Sequence, residues 1–332
     1  MHEKCRFLGL FGPSEAAIHR LQRAYRVPTS RLIPTFATAV NTWQCDENDH
    51  LNVQFYTEFA HEASAHFMAA LGLGPRAQAA SGLVLRESED HVRYLREFRV
   101  VDGVEVWSAP VELGERHLLV YHEVRNAADG TVASTVRRRI ESDKAWPKAF
   151  RNSIEAMLIE LPQHAYPRSV GTLELPDLTL ADAVRTGLIE VSRSVVKPSE
   201  CDERGVFLPR HQFGRYSDGA PFLWNHLGFD RGAMQERGEG SVVVEMLQHY
   251  RMPLRAGDLV VVASGLGDFT DKILKFSHFL FEAETGKLAA CAEAVGMKFD
   301  QKHRKIMTFS PEDQVRLGKL KLRLWKREKV HG

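Results

Sequence analysis

Residues 46–56 read DENDHLNVQFY and stand just before an apolar helical stretch. Asp46, Asn48 and His50 alternate, with Asn52 next in the same rhythm. Four kinds of site could be built from such a set. A calcium loop fails. Counting from Asp46, oxygen ligands fit positions 1 and 3, but His50, Leu51 and Thr57 stand where the loop needs an oxygen, a glycine and a glutamate. Zinc would need about three ligands at helix or hairpin spacing. The only helical histidines in reach, His61 and His66, are five apart and share a helix face poorly. A polar N-cap explains one or two of the residues, because Asp and Asn satisfy free amides at a helix start. It does not call for the alternation. In an extended segment alternate side chains share one side, so Asp46, Asn48 and His50 are expected to converge beside the positive end of a helix. A carboxylate base, an amide donor and a tunable imidazole suit acyl transfer to water.

Elements around the loop must hold this set. A short strand leads in (TFATAVNTW), and after the loop apolar residues recur at three- and four-residue steps: Phe55, Phe59, Ala63, Phe67, Ala70 and Leu71. LGLG at 71–74 stops the helix. Alternating stretches follow as strands (HVRYLREFRV, VEVWSAPVEL, RHLLVYHEVR, TVASTVRRRI), the last two joined by the turn NAADG. A helix and then a run of antiparallel strands is an α+β pattern. A sheet wrapped around that helix would need the helix apolar on both faces, and Ser64, Ala65, Met68 and Ala69 fit.

The chain contains this unit twice. Shifting residues 38–140 by 156 positions, without a gap, matches 20 of 103 residues, against on the order of 6% expected by chance. The matches include Cys45/Cys201, Asp46/Asp202, Gly72/Gly228, Tyr94/Tyr250, His122/His278 and Gly130/Gly286. Duplication explains this better than coincidence. The expected organisation is an N-terminal extension (1–30) with an amphipathic helix capped by Ser14, a first unit (31–143), a linker (144–185), a second unit (186–305) and a basic C-terminal helix (306–332). That last helix starts at Ser310-Pro311 and carries Lys319, Lys321, Arg323, Lys326, Arg327 and Lys329; a solvated face is its simplest reading, with phosphate docking the alternative. The second loop keeps Asp202 and has a glycine, Gly205, but lacks the first loop's Asn and His. Asp202 is therefore expected to act as a cap.

Bulk properties narrow the function. With 44 basic against 43 acidic residues the chain has no overall field for nucleic acid or membrane. No apolar run approaches the ~18–20 residues of a membrane span, and LGLFG is too short for a signal peptide. Four scattered cysteines (Cys5, Cys45, Cys201, Cys291) form no CxxC pair. A reduced, cytoplasmic protein without structural zinc or disulfides is expected.

Asp46-x-Asn48-x-His50-x-Asn52-x-x-x-Tyr56, followed by Glu62-Ala63 and Leu71-Gly72, resembles the hotdog-fold thioesterases, whose signature is D-x-x-G-H-V-N-x-x-x-Y with E-A and L-G further on. In this the chain resembles the 4-hydroxybenzoyl-CoA thioesterase-like proteins. The Asp-x-Asn-x-His form and HVRYLREFRVVDGVEV are also similar to plant acyl-carrier-protein thioesterases and to the thioesterase module fused to some carnitine dehydrogenases. The resemblance covers about residues 35–142 and, more weakly, 186–300. One departure is Asp49, where the family has glycine.

The resemblance implies an α+β tandem hotdog, each unit an antiparallel sheet around a central helix, that hydrolyses an acyl-CoA or acyl-carrier thioester. It implies no cofactor beyond the CoA of the substrate, no metal, and an oligomer of double units as a possible assembly. Asp46 would be general base or nucleophile, Asn48 and His50 would orient water and thioester, and Asn52, Tyr56 and Glu62 would support them. Family sites lie at the seam between units, so Asp202, Arg215, Tyr216 and Asp218 would form a wall contributed by the second copy. The alternatives are a hotdog dehydratase or hydratase and a non-catalytic acyl-thioester binder.

Overall fold

A computed structural model describes residues 32–171 and 178–322. The expected helix at Ser14 and the basic residues beyond Leu322 lie outside the described residues. The first unit runs β1 (Ile33–Ala39), α1 (Val53–Ala70), α2 (Pro75–Ser81), β2 (Leu85–Tyr94), β3 (Gly103–Leu113), β4 (His117–Asn126) and β5 (Val132–Ser142). A connection containing α3 (Lys148–Glu155) and α4 (Leu180–Arg185) leads to the second unit. That unit comprises β6 (Ile189–Val195), α5 (Pro209–His226), α6 (Arg231–Glu236), β7 (Glu239–Tyr250), β8 (Leu259–Phe269), β9 (Leu274–Glu282), β10 (Leu288–Asp300) and β11 (Lys305–Ile306), and α7 (Pro311–Leu320) follows.

Among the described residues all eleven strands form one antiparallel sheet in the order β1-β3-β4-β5-β2-β7-β10-β9-β8-β6, with β11 paired to β10. Each half repeats the other, and each wraps a long central helix. The halves meet at β2 and β7, where Glu89 pairs with His249, His91 with Leu247 and Arg93 with Glu245. Leu247 lies 156 positions after His91, so this register is self-complementary: a pseudo-dyad passes through that pair. The repeat thus specifies the seam as well as the halves. The central helices pack on each other about the same axis, with Glu58 ion-paired to Arg210 and Asn52 Nδ2 donating to Ser217 Oγ at 3.2 Å.

The core follows the expected pattern. α1 buries Phe55, Phe59, Ala63, Phe67 and Met68, which accounts for its apolar surface on more than one face. Gly72 and Gly228 end the two long helices at φ +80° and +81°, a left-handed conformation that suits glycine best. The hairpin turns likewise place Gly130 and Gly286 at φ +74° and +70°.

One expected strand needs correction, and one helix was not foreseen. The strand expected at 91–100 is β2, which starts at Leu85 and ends at Tyr94. The next residues leave the ladder because the amides of both Leu95 and Arg96 bond to the Ala133 carbonyl, and a turn closes where Asp102 accepts from the Arg99 amide at 2.8 Å. Phe98 imitates strand alternation but is a buried loop residue. The short helix α2 was not expected. Pro75 at its first turn and Gly82 in a left-handed cap delimit it.

Candidate active site

The loop 46–52 is not the extended segment that alternation suggests. A bridge between Cys45 and Leu51 closes it, and the Asp46 amide donates to the His50 carbonyl at 2.8 Å. Asp46 Oδ1 accepts from the amides of Asn48 (2.8 Å) and His50 (3.3 Å). Tight turning, not strand alternation, brings Asp46, Asn48 and His50 together. The turn needs a left-handed residue, and Asp49 supplies it at φ +57°, as Gly205 does at φ +74° in the second copy. The departure from the family glycine therefore leaves the turn intact. Asn52 follows as the N-cap of α1, its Oδ1 accepting from the Gln54 amide at 3.2 Å.

Asp46, Asn48, His50, Asn52 and Tyr56 all line one cavity of about 640 Å³, as does Val53 at the helix start. The Val53 amide, first in the helix, has no acceptor among the described residues. His50 Nε2 lies 2.9 Å from an Arg99 guanidinium nitrogen and 3.2 Å from Glu97. Burial, helped by Arg99, holds this imidazole below its ordinary range against the pull of Glu97. Tyr56 is buried, and its hydroxyl reaches the Arg96 carbonyl at 3.5 Å. Burial raises that phenol well above its ordinary range.

The second copy supplies the opposite wall. Tyr216 and Asp218 line the cavity together with Ser217, Leu223 and Trp224 of α5, and the inner end reaches Phe276, His278 and Ala294 of the second sheet. Partial desolvation raises the Asp218 carboxyl above its ordinary range. Three mouth residues were missed from the sequence. Gln301 donates to Asn48 Oδ1, Arg231 pairs with Glu47 and feels the charge of Asp46, and Arg304 pairs with Glu97. They sit about 185 to 253 residues from their partners in sequence, beyond any local signal.

Other expected site residues are placed elsewhere. Glu62 is exposed and lines a separate surface pocket with Glu58 and Arg210. Arg215 is buried against Glu200 (Nη2 to Oε2, 2.8 Å) and Ser194 (2.8 Å), away from the cavity. Asp202 accepts from the amides of Arg204 and Val206 at 2.9 and 2.8 Å, and the Arg204 side chain folds onto its other oxygen at 2.9 Å. Arg204 occupies the place of Asn48. The second carboxylate is thus capped and ion-paired.

The interior matching the cavity is filled in the first unit. Arg138, fully buried, bonds Asp90 through Nε (2.7 Å) and Nη2 (2.6 Å), and Tyr250 donates to Asp90 Oδ2 at 2.8 Å. Glu87 and His61 continue this network, 2.8 Å apart. The matching residues of the second unit are Ala294 for Arg138, Gly296 for Ile140, Met246 for Asp90 and Val243 for Glu87, and all four line the cavity. Side-chain volume present in one half is missing in the other. Among the described residues no three His, Cys, Asp or Glu are grouped to hold a metal ion, and no helix is long and apolar enough to cross a membrane.

Two helix-wrapping half-sheets joined edge to edge, with a polar turn at one helix start, define a tandem hotdog protein. The chain belongs to the thioesterase-like superfamily, whose family model matches residues 40–142 and again 196–317. Its architecture is similar to a putative oleoyl thioesterase from Lactobacillus plantarum (12% identity, 81% of this chain and 97% of that one, TM-score 0.62). It is also similar to an acyl-ACP thioesterase from Bacteroides thetaiotaomicron (10% identity, 80% and 98%, TM-score 0.60). A third similar structure is the 12:0-ACP thioesterase from Umbellularia californica (12% identity, 81% and 94%, TM-score 0.59). No curated protein matches the chain significantly.

Proposed function

We propose that this protein hydrolyses acyl thioesters of CoA or a carrier protein at a single site, with Asp46 as the reacting carboxylate. The observation that carries this reading is the shared cavity: Asp46, Asn48 and His50 face it across from an apolar chamber of the partner unit. Its volume of about 640 Å³ falls in the range of ligand-binding pockets.

In this reading the acyl chain enters the second unit and the thioester carbonyl rests over the start of α1. The free Val53 amide and the positive helix end stabilise the developing oxyanion. Asp46, fixed by two loop amides, takes a proton from water as the water oxygen bonds to the carbonyl carbon. The C–S bond then breaks, the sulfur takes up a proton, and the free acid and thiol leave. Asn48 and the uncharged His50 orient water and thioester. Direct attack by Asp46, giving an anhydride that water opens, uses the same geometry.

Removing a positioned base costs about 10²–10⁴-fold. The Asp46→Asn protein should therefore fold normally and release thiol from a panel of acyl-CoAs at least about a hundredfold more slowly. Unchanged turnover would remove Asp46 from the chemistry. Water addition to enoyl-CoA by the wild type, or binding without turnover, would favour a hydratase or a non-catalytic binder instead.

A further inference from the structure

The duplication provides an internal control for the inner end of the cavity. His122 and His278 occupy the same strand position in the two units, and each is held at Nδ1 by the matching serine, Ser108 at 2.7 Å and Ser264 at 2.8 Å. Their other nitrogens differ. In the filled unit, Nε2 of His122 lies 3.0 Å from Ser64 Oγ, so both ring nitrogens are satisfied. The position matching Ser64 is Ala220. Its methyl group offers no hydrogen bond, and Nε2 of His278 has no partner among the described residues. His278 and Ala220 both line the cavity, beside the space that Ala294 opens.

His278 is only 6% exposed, so bulk water does not serve it freely. The Tyr216 ring stacks on it, centroids 5.1 Å apart and planes 26° from parallel, which fixes the imidazole plane. The Tyr216 hydroxyl is itself buried and has no partner among the described residues. An apolar chamber for a plain hydrocarbon would have no use for an open, immobilised imidazole nitrogen. Polar groups inside a protein are normally hydrogen-bonded, and this nitrogen lies on the cavity wall, where a ligand would meet it.

We propose that the acyl group taken by this site carries an uncharged hydrogen-bonding oxygen, a hydroxyl or a ketone, that bonds to Nε2 of His278 inside the second unit. This rests on the thioesterase reading for the position of the thioester and names the acyl class. Burial pushes the His278 pKa down to about 4, so the ring is neutral at physiological pH. A neutral ring can donate or accept one hydrogen bond but brings no charge to balance a carboxylate.

The test compares each member of a saturated acyl-CoA series with counterparts bearing one hydroxyl or one ketone, moved stepwise along the chain. For one position of the oxygen, kcat/KM of the wild type should exceed that of the plain chain by about tenfold or more. Ala220→Ser should supply the cap that Ser64 gives His122, and the ratio should fall toward one. His278→Phe, with folding checked by circular dichroism, should do the same. No preference at any position, or a preference undiminished in Ala220→Ser, would overturn the proposal. Calorimetry with non-hydrolysable thioether analogues of the same pairs separates it from the hydrolase reading. Preferential binding of the oxygenated analogue without turnover of any thioester would sink the hydrolase alone. Equal binding of both, or binding of neither, would sink this inference.

Discussion

At the scale of single residues, Asp49 is informative because it occupies a backbone conformation that costs most side chains about 1–2 kcal/mol. Aspartate tolerates it better than most, and the turn that aims Asp46 survives. Asp49→Gly should keep the loop and gain up to about 1 kcal/mol in urea unfolding, while Asp49→Val should lose about that much. A loss of stability in the glycine variant would show that the Asp49 side chain, not the turn, holds the loop. Asp46 and His50 could be singled out in the sequence by their types and spacing, and both line the cavity. Their convergence was legible too, but for the wrong reason: a tight turn, not alternation, brings them together. Gln301 and Arg231 were not legible, because they reach the loop only through folding of the other half.

His61 and Glu87 carry a pH signature at the same scale. Burial opposes the His61 imidazolium, yet the Glu87 carboxylate beside it outweighs burial and raises its pKa. Glu87 in turn is held far below its ordinary range by His61 and Arg138 despite burial. A raised histidine stabilises the fold fully below the unfolded value of about 6.5 and loses that contribution as pH rises through the folded value. A depressed carboxylate contributes fully above about 4.3 and loses its share progressively as pH falls below that toward the folded value. The advantage of wild type over His61→Gln, read from denaturation at a series of pH values, should thus be largest between about pH 4.5 and 6.5 and shrink toward alkaline pH. An advantage that grows above pH 7 would contradict the pairing.

Among elements, β2 and β5 show what the repeat alone could not. Within the run Arg137-Arg138-Arg139, strand alternation turns the middle residue inward, where Asp90, Thr57 and Glu87 surround it. Arg138→Ala alone strands Asp90 without its partner and should cost about 3–5 kcal/mol. Joining it with Asp90→Met copies the Met246/Ala294 pair of the other half and should recover much of that loss. A double variant no more stable than the single one would mean that the network is not paired as described. The alignment already held this contrast, since Arg138 faces Ala294 in it. Its meaning needed the sheet, because only the pairing of Asp90 with Arg138 and of Met246 with Ala294 places those residues in equivalent interiors. The overlong strand expected at 91–100 failed for a related reason: Phe98 serves the core from a loop, and a two-residue rhythm cannot tell such a plug from a strand.

At the scale of the molecule, the duplicated plan was readable from the chain, and the asymmetry within it was readable only in part. The second loop's lack of Asn and His made a difference between the two loops readable. The structure adds Arg204 folded onto Asp202 and a guanidinium filling the facing interior. The protein should therefore bind one acyl-CoA analogue per chain by calorimetry, and Asp202→Asn should leave turnover within a few-fold of wild type. Two equivalent binding events, or equal damage from Asp202→Asn and Asp46→Asn, would restore the symmetry.

The seam centred on His91 and Leu247 has a consequence for how such a pair can change. In an assembly of two identical subunits every substitution strikes two places at once, so hollowing one lobe hollows its twin. A single continuous polypeptide breaks that obligation. One lobe can stay braced by an interior cation while the other is excavated to receive a guest, and rigidity and capacity need not be traded off within the same walls.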